Sequence, residues 1–275
     1  MKLNKPYKAA AVSLFVMGLG IGQAVAADSC KPNAELKTVN PAQITVALTN
    51  TPPYSLEKDD QISGIDGDLV KKFAADNCLK ISYKIFTYPG AITAVQTHRA
   101  DIAVGGFYRT AARAKVVELS APVYLDQLSA VSKDGIDTVD GLKGKKVGTV
   151  QGYLWVAELQ KLFKSDVSTY PTSLNLAQDL HAGRIDVALD GFGSSAVQNQ
   201  GHDYPVKLLK EDKRINATLF PTQTAFLLDK SNASFVEAMN KAIEQYRKDG
   251  LIAETLKAYK LDPSAANVGA SRVVE

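Results

Sequence analysis

Apolar residues fall in two registers along this chain, short continuous runs and longer stretches spaced three and four apart, and the two alternate. ITVALT (Ile44 to Thr49) reads as a buried strand, and Pro52 and Pro53 forbid helix just after it. Gly64 to Cys78 predicts a helix entered from a turn, with Leu69, Val70 and Phe73 at helical spacing. KISYKIF predicts a strand, Gly90 to His98 a helix, and Asp101 to Val104 another strand. This β-α-β-α-β order specifies an α/β sheet. Two extended segments, PVYLDQLSAVSK and TQTAFLLDK, then leave this unit and return to it. Between them strand and helix alternate again, as far as Pro221. The end predicts two helices meeting at Gly250, followed beyond Pro263 by a small, polar segment expected to fray.

The stretch from Asp101 to Tyr124 organises the rest. It reads as a strand, a glycine turn (Gly105, Gly106), a loop and a helix. Thr110 suits an N-cap, because its hydroxyl can accept from an amide left open at a helix start. That places Arg113 in the first helical turn, where the macrodipole opposes a cation. Open amides, a positive dipole and an arginine fork together describe a receptor for a carboxylate. The alternative is a solvated surface arginine.

An internal echo links the two halves. Ala94 to Gly106 and Asp179 to Gly191 share a helix end, then Arg, any residue, Asp, an apolar run and Gly. Arg99 corresponds to Arg184, Asp101 to Asp186 and Gly106 to Gly191. Ligands of open α/β sheets bind at the C-terminal ends of such strands. Asp190 would then face a cleft from the second half, opposite Arg113, as a clamp for a zwitterion. Its alternative role is to form the turn before Gly191-Phe192-Gly193.

The N-terminus changes the charge balance. Lys2, Lys5 and Lys8 precede an apolar run, and Ala24-Val25-Ala26 fits a small-residue cleavage site, so Met1 to Ala26 is expected to be a signal peptide cleaved after Ala26. The chain carries 32 basic and 29 acidic residues, and three of the lysines lie in this segment. The remainder is balanced, which gives no reason to expect nucleic acid or an anionic membrane as partner. Two cysteines, Cys30 and Cys78, lie beyond the segment, and in an oxidising compartment a bridge between them is favoured over two separate buried thiols. The three histidines are not spaced with acids or cysteines as ligands, so no metal and no cofactor is expected.

Taken together, ITVALTNTPPYS, GIDGDLVKKFA, RADIAVGGFYRTAARAKVVELSAPVY, GLKGKKVGTVQG, GRIDVALDG and GLIAETLKAY resemble the bacterial extracellular solute-binding proteins of family 3, the periplasmic polar amino-acid receptors of ABC importers. The resemblance implies a two-lobed α/β periplasmic binding protein fold of type II, with lobes joined by two crossing strands. It places lobe 1 at residues 40–124 plus 224–262, lobe 2 at 125–223 and a flexible tail at 263–275. It also implies a monomer in the periplasm that delivers a small-molecule ligand, an amino acid above all, to an ABC permease in the inner membrane.

By the same resemblance Arg113 binds the ligand's carboxylate and Gly106 supplies backbone beside it. Tyr108 stands at a position usually held by a small hydroxyl donor, and Tyr88 lines the pocket. Gln151, Gly152 and Tyr153 form the second-lobe loop that meets the ligand. Three departures stand out. Thr49 and Asn50 replace a common aspartate, Tyr54 is the nearest candidate for a missing aromatic, and the amine-binding aspartate aligns with Gly191, one place after Asp190. Arg109 offers a second cation, although that position tends to face away. Two other functions use the same fold: an exported dehydratase with Asp190 as general acid, and a sensor that presents its closed form to a membrane receptor.

Overall fold

The computed structural model describes residues 30–275. The expected signal peptide and its cleavage site lie outside the described residues. The first half contains β1 (Gln43–Thr49), β2 (Leu56–Lys58), β3 (Gln61–Ser63), α1 (Gly64–Asp76), β4 (Lys80–Phe86), α2 (Tyr88–Gln96), β5 (Ile102–Val104), α3 (Ala111–Val116) and β6 (Glu118–Leu119). Then come β7 (Leu125–Asp126), β8 (Leu128–Ser132), β9 (Val147–Val150), α4 (Val156–Phe163), β10 (Val167–Tyr170), α5 (Ser173–His181), β11 (Val187–Gly191), α6 (Phe192–Gln198) and β12 (Val206–Leu208). The chain returns through β13 (Thr222–Gln223) and β14 (Leu227–Leu228) and ends in α7 (Ala233–Lys248) and α8 (Leu251–Ala258).

Two five-stranded sheets result, ordered β4-β1-β5-β14-β6 and β10-β9-β11-β8-β12. Three parallel strands form one side of each sheet, and antiparallel strands complete the other. The chain passes between the sheets twice, and the passing segments pair as β7 with β13, Thr222 opposite Asp126 and Gln223 opposite Leu125. Ile44, Val46 and Leu48 of β1 pack with Leu69, Val70 and Phe73 of α1 and with Phe235, Met239 and Ile243 of α7. The helical spacing read from the sequence is therefore the inner face.

The echo between the halves is structural. Strands β5 and β11 hold the same place in their sheets, third from the β4 or β10 edge. The Asp101 carboxylate accepts from Thr45 N at the start of β1 and from Val39 N, each at 2.7 Å. Asp186 accepts from Lys146 N, just before β9, at 2.8 Å. Each acid thus closes an open amide at the start of the neighbouring parallel strand.

Some expectations shift. The second helix begins at Tyr88 rather than Gly90, because Thr87 caps it by accepting from Gly90 N and Pro89 supplies a first-turn φ without needing a donor. The first helix stops at Asp76, and Cys78 beyond it is disulfide-bonded, as is Cys30, so the reading as two separate thiols falls.

The end of the chain is a correction. Residues 263–275 do not form a flexible tail. Val268 and Val274 are buried, and the Gln223 side chain donates to Val268 O and Ala270 O and accepts from Arg272 N. Val274 N donates to Arg109 O, and Ala111 N donates to Val274 O. Asn216, beyond β12, donates to the carbonyl of Glu275. The segment's small residues let it lie flat across β13, where the buried amide of Gln223 needs partners.

Candidate functional site

The C-terminal ends of β1 and β5 face those of β9 and β11 across a cleft closed by contacts from both sides. Gly193 N donates to Tyr54 Oη at 3.0 Å, Ser194 Oγ donates to Pro52 O at 2.9 Å, and Tyr88 meets Tyr153 edge to face with centroids 4.9 Å apart. Between them lies a small cavity lined by Tyr54, Tyr88, Gly106, Tyr108, Arg113, Asp126, Tyr153, Leu154, Trp155 and Gly191. A water's centre can occupy about 10 Å³ of it, on the order of one water. An amino-acid-sized ligand therefore enters only as these contacts part.

The glycine turn is built as a backbone cradle. Asp66, in the first turn of α1, accepts from Gly105 N and Gly106 N, both at 2.8 Å, and from Tyr124 Oη at 2.8 Å. Burial pushes its carboxyl up to about 6 against these three bonds. Gly105 (φ +146°) and Gly106 (φ +66°) occupy conformations that disfavour a side chain. Gly106 lines the cavity, and its N–H is committed to Asp66.

Arg113 is 7% exposed. Thr110 caps α3 as anticipated, accepting from Arg113 N. Two of the helix-start amides read as part of the anion receptor, those of Arg113 and Ala111, are taken, however, by Thr110 Oγ1 and by Val274 O. What remains is the guanidinium. It donates to Tyr108 O at 2.7 Å and across the cleft to Gly152 O at 3.0 Å, and it lies over the Phe107 ring. No ion pair among the described residues includes it. Burial lowers it to about 10, and its nearest electrostatic partners are tyrosines. The surface-arginine alternative is excluded. A buried cation held by two carbonyls and one aromatic face is one that a carboxylate would stabilise.

The structure divides the other sequence candidates. Tyr54, Tyr88, Tyr108 and Tyr153 line the cavity with Arg113 and Gly106. Their hydroxyls are engaged: Tyr88 with Gly105 O and Thr51, Tyr108 with Asp126 at 2.7 Å, Tyr153 with Asp190 at 2.9 Å. Tyr54 stacks on Tyr124. Thr49 is buried behind the turn, donating to Val104 O, and does not line the cavity. Gln151 also stays out of the lining, its N–H donating to Tyr170 O. Gly152 contributes through its carbonyl on Arg113. Arg109 is turned to Ser120 O, Arg272 O and Ser271, towards the C-terminal segment.

Asp190 lies inside β11, so alternation sends it and Gly191 to opposite faces. Gly191 lines the cavity and Asp190 does not. The Asp190 carboxylate accepts from Tyr153 Oη and Gly191 N, and burial raises it to about 7. Asp190 thus meets the cavity through Tyr153, whose hydroxyl it accepts from, rather than directly. The acid that does line the cavity is Asp126, on β7, which the sequence reading missed together with Leu154 and Trp155, while Gly191, the position it aligned with the amine-binding aspartate, lines the cavity as backbone. Its signal was present: a lone carboxylate in the otherwise apolar run Val123-Tyr124-Leu125-Asp126.

Fold and cleft define a two-lobed solute-binding protein. Residues 44–262 match the model for bacterial extracellular solute-binding proteins, family 3, and the chain belongs to that family. It is 28% identical over 256 residues to the L-cystine-binding protein TcyJ of Escherichia coli, covering 86% of this chain and 91% of that one. It is 25% identical to the lysine/arginine/ornithine-binding periplasmic protein of the same organism, covering 90% and 96%. Among solved structures, an amino acid ABC transporter substrate-binding protein from Streptococcus pneumoniae bound to L-arginine superposes with a TM-score of 0.71 at 22% identity, covering 82% of this chain and 96% of that one.

Proposed function

We propose that this protein is an exported, periplasmic receptor that closes its two lobes on an α-amino acid and presents it to an ABC permease, without chemistry of its own. The observation that carries this reading is Arg113, a buried guanidinium that spans the cleft to Gly152 O and has no carboxylate partner among the described residues. A ligand carboxylate would take the fork in two parallel bonds, which is the geometry arginine is shaped for. The two passing strands β7 and β13 are the natural hinge, since they are where the lobes are joined. The names of the relatives, receptors for cystine and for basic amino acids, support the amino-acid class.

The test is a thermal-shift and titration screen of the twenty amino acids, cystine and ornithine against protein stripped of ligand by unfolding and refolding. A ligand at 100 times its dissociation constant adds about 2.7 kcal/mol of stability. At roughly 2–4 °C per kcal/mol the shift is plain. Arg113→Ala should abolish it. A folded Arg113→Ala protein with unchanged affinity would overturn the assignment.

A further inference from the structure

Among the described residues that line the cavity, two carry a formal charge, Arg113 and Asp126. Resting on the amino-acid reading above, we infer that Asp126, delivered from the hinge strand β7, is the residue that holds the ligand's ammonium group, through the space left open at Gly191.

Three observations meet at this point. The first is steric. A Cβ on Gly191 would fall against Asp126 Oδ2 well inside van der Waals contact, with Tyr108 Oη next nearest at 3.5 Å. The Asp126 carboxylate therefore fills the position from which a side chain on β11 would address the cavity. The second is electrostatic. Asp126 is 7% exposed, its partners are the hydroxyls of Tyr108 and Tyr54 and backbone amides, and no basic side chain among the described residues pairs with it. Burial raises its carboxyl. A cation within reach would offset that cost, because an opposite charge favours the ionised form. The third is the disposition of the competing acid. Asp190 is one residue from Gly191 but faces the other side of β11, where Tyr153 Oη and Gly191 N hold it.

Both charged contacts then lie off the second sheet, one on α3 and one on the hinge. The ligand's two charged groups are fixed before the second lobe arrives with Tyr153 and Trp155. Side-chain discrimination is left to those aromatic residues, and the amine requirement is set at the hinge.

The experiment compares each amino acid found to bind with the same acid lacking its amine, by titration calorimetry. Wild type should prefer the amino acid, and Asp126→Asn should weaken it by about 100-fold while leaving the amine-free acid unchanged. Asparagine keeps an oxygen for Tyr108, so the fold should persist. Asp190→Asn should retain the preference. The paired exchange Asp126→Gly with Gly191→Asp should restore it, since both side chains address one space, and it serves as the second arm should Asp126→Asn melt early. A folded Asp126→Asn protein that keeps the preference would overturn the proposal, as would an Asp190→Asn protein that loses it. Should Arg113→Ala bind normally while Asp126→Asn loses amine selectivity, the carboxylate assignment fails and this one stands. If wild type binds no α-amino acid, both fail.

Discussion

Asp126 and Gly191 share one volume: the carboxylate of the first occupies the place that a side chain on the second would need. The two come from different strands, β7 of the hinge and β11 of the second sheet. A single methyl is therefore enough to disturb the arrangement. Gly191→Ala should push Asp126 off its bond with Tyr108 and cost about 1–3 kcal/mol of stability. It should also weaken an amino-acid ligand at least tenfold. Denaturant unfolding and titration read the two effects. A variant with native stability and affinity would show that the space tolerates a side chain.

Asp66 holds the glycine turn from behind. Asp66→Ala would leave two buried N–H groups and the Tyr124 hydroxyl without their acceptor. The expected loss is about 3 kcal/mol or more. It should appear as a lower urea midpoint at unchanged slope, and ligand affinity should fall with it because Gly106 borders the cavity. Asp66→Asn keeps one acceptor oxygen and should lose less.

The buried carboxyls give the ligand-free protein a definite pH response. Asp190 is raised to about 7 and Asp66 to about 6, each from an ordinary value of 3.8, by burial first of all. Between the ordinary and the raised values the folded state binds more protons than the unfolded one, so stability falls as pH rises through this window. Melting temperature should therefore be higher at pH 5.5 than at pH 7.5, and Asp190→Asn should flatten the difference. A wild-type protein that stabilises steadily from pH 5 to 8 would contradict these assignments.

The C-terminal segment is tied across β13 and should matter to stability. Removing residues 268–275 exposes the Gln223 amide, strips the buried Val268 and Val274, and leaves Ala111 N without its acceptor. The loss expected is at least about 3 kcal/mol, which burial of the two valines alone supplies and to which the lost hydrogen bonds add. Chemical denaturation of the truncated and full chains measures it directly. Equal midpoints would mean that the segment merely rests on the surface.

Local pattern was sufficient for much of this protein. The apolar spacing of β1, α1 and β5, the Thr110 cap, the Gly105-Gly106 turn and the echo between Asp101 and Asp186 depend on neighbours a few residues away, and all were legible from order alone. Arg113 was legible too, because a cation at a helix start is unfavourable without a further reason. What tertiary structure decided were relationships between distant strands. The sequence shows Asp190 and Gly191 side by side, but strand alternation within β11 sends one to Tyr153 and the other to the cavity. It shows Asp126 as one acid in an apolar run, and the crossing of β7 beside β11 makes it a lining residue. It shows a small, polar C-terminus, and a buried glutamine on β13 together with Arg109 and the backbone of Ala111, all distant in sequence, supply hydrogen bonds that hold it. Hydrophobic periodicity is a property of each element, whereas the direction of a lone charge is set by whatever the rest of the chain packs around it.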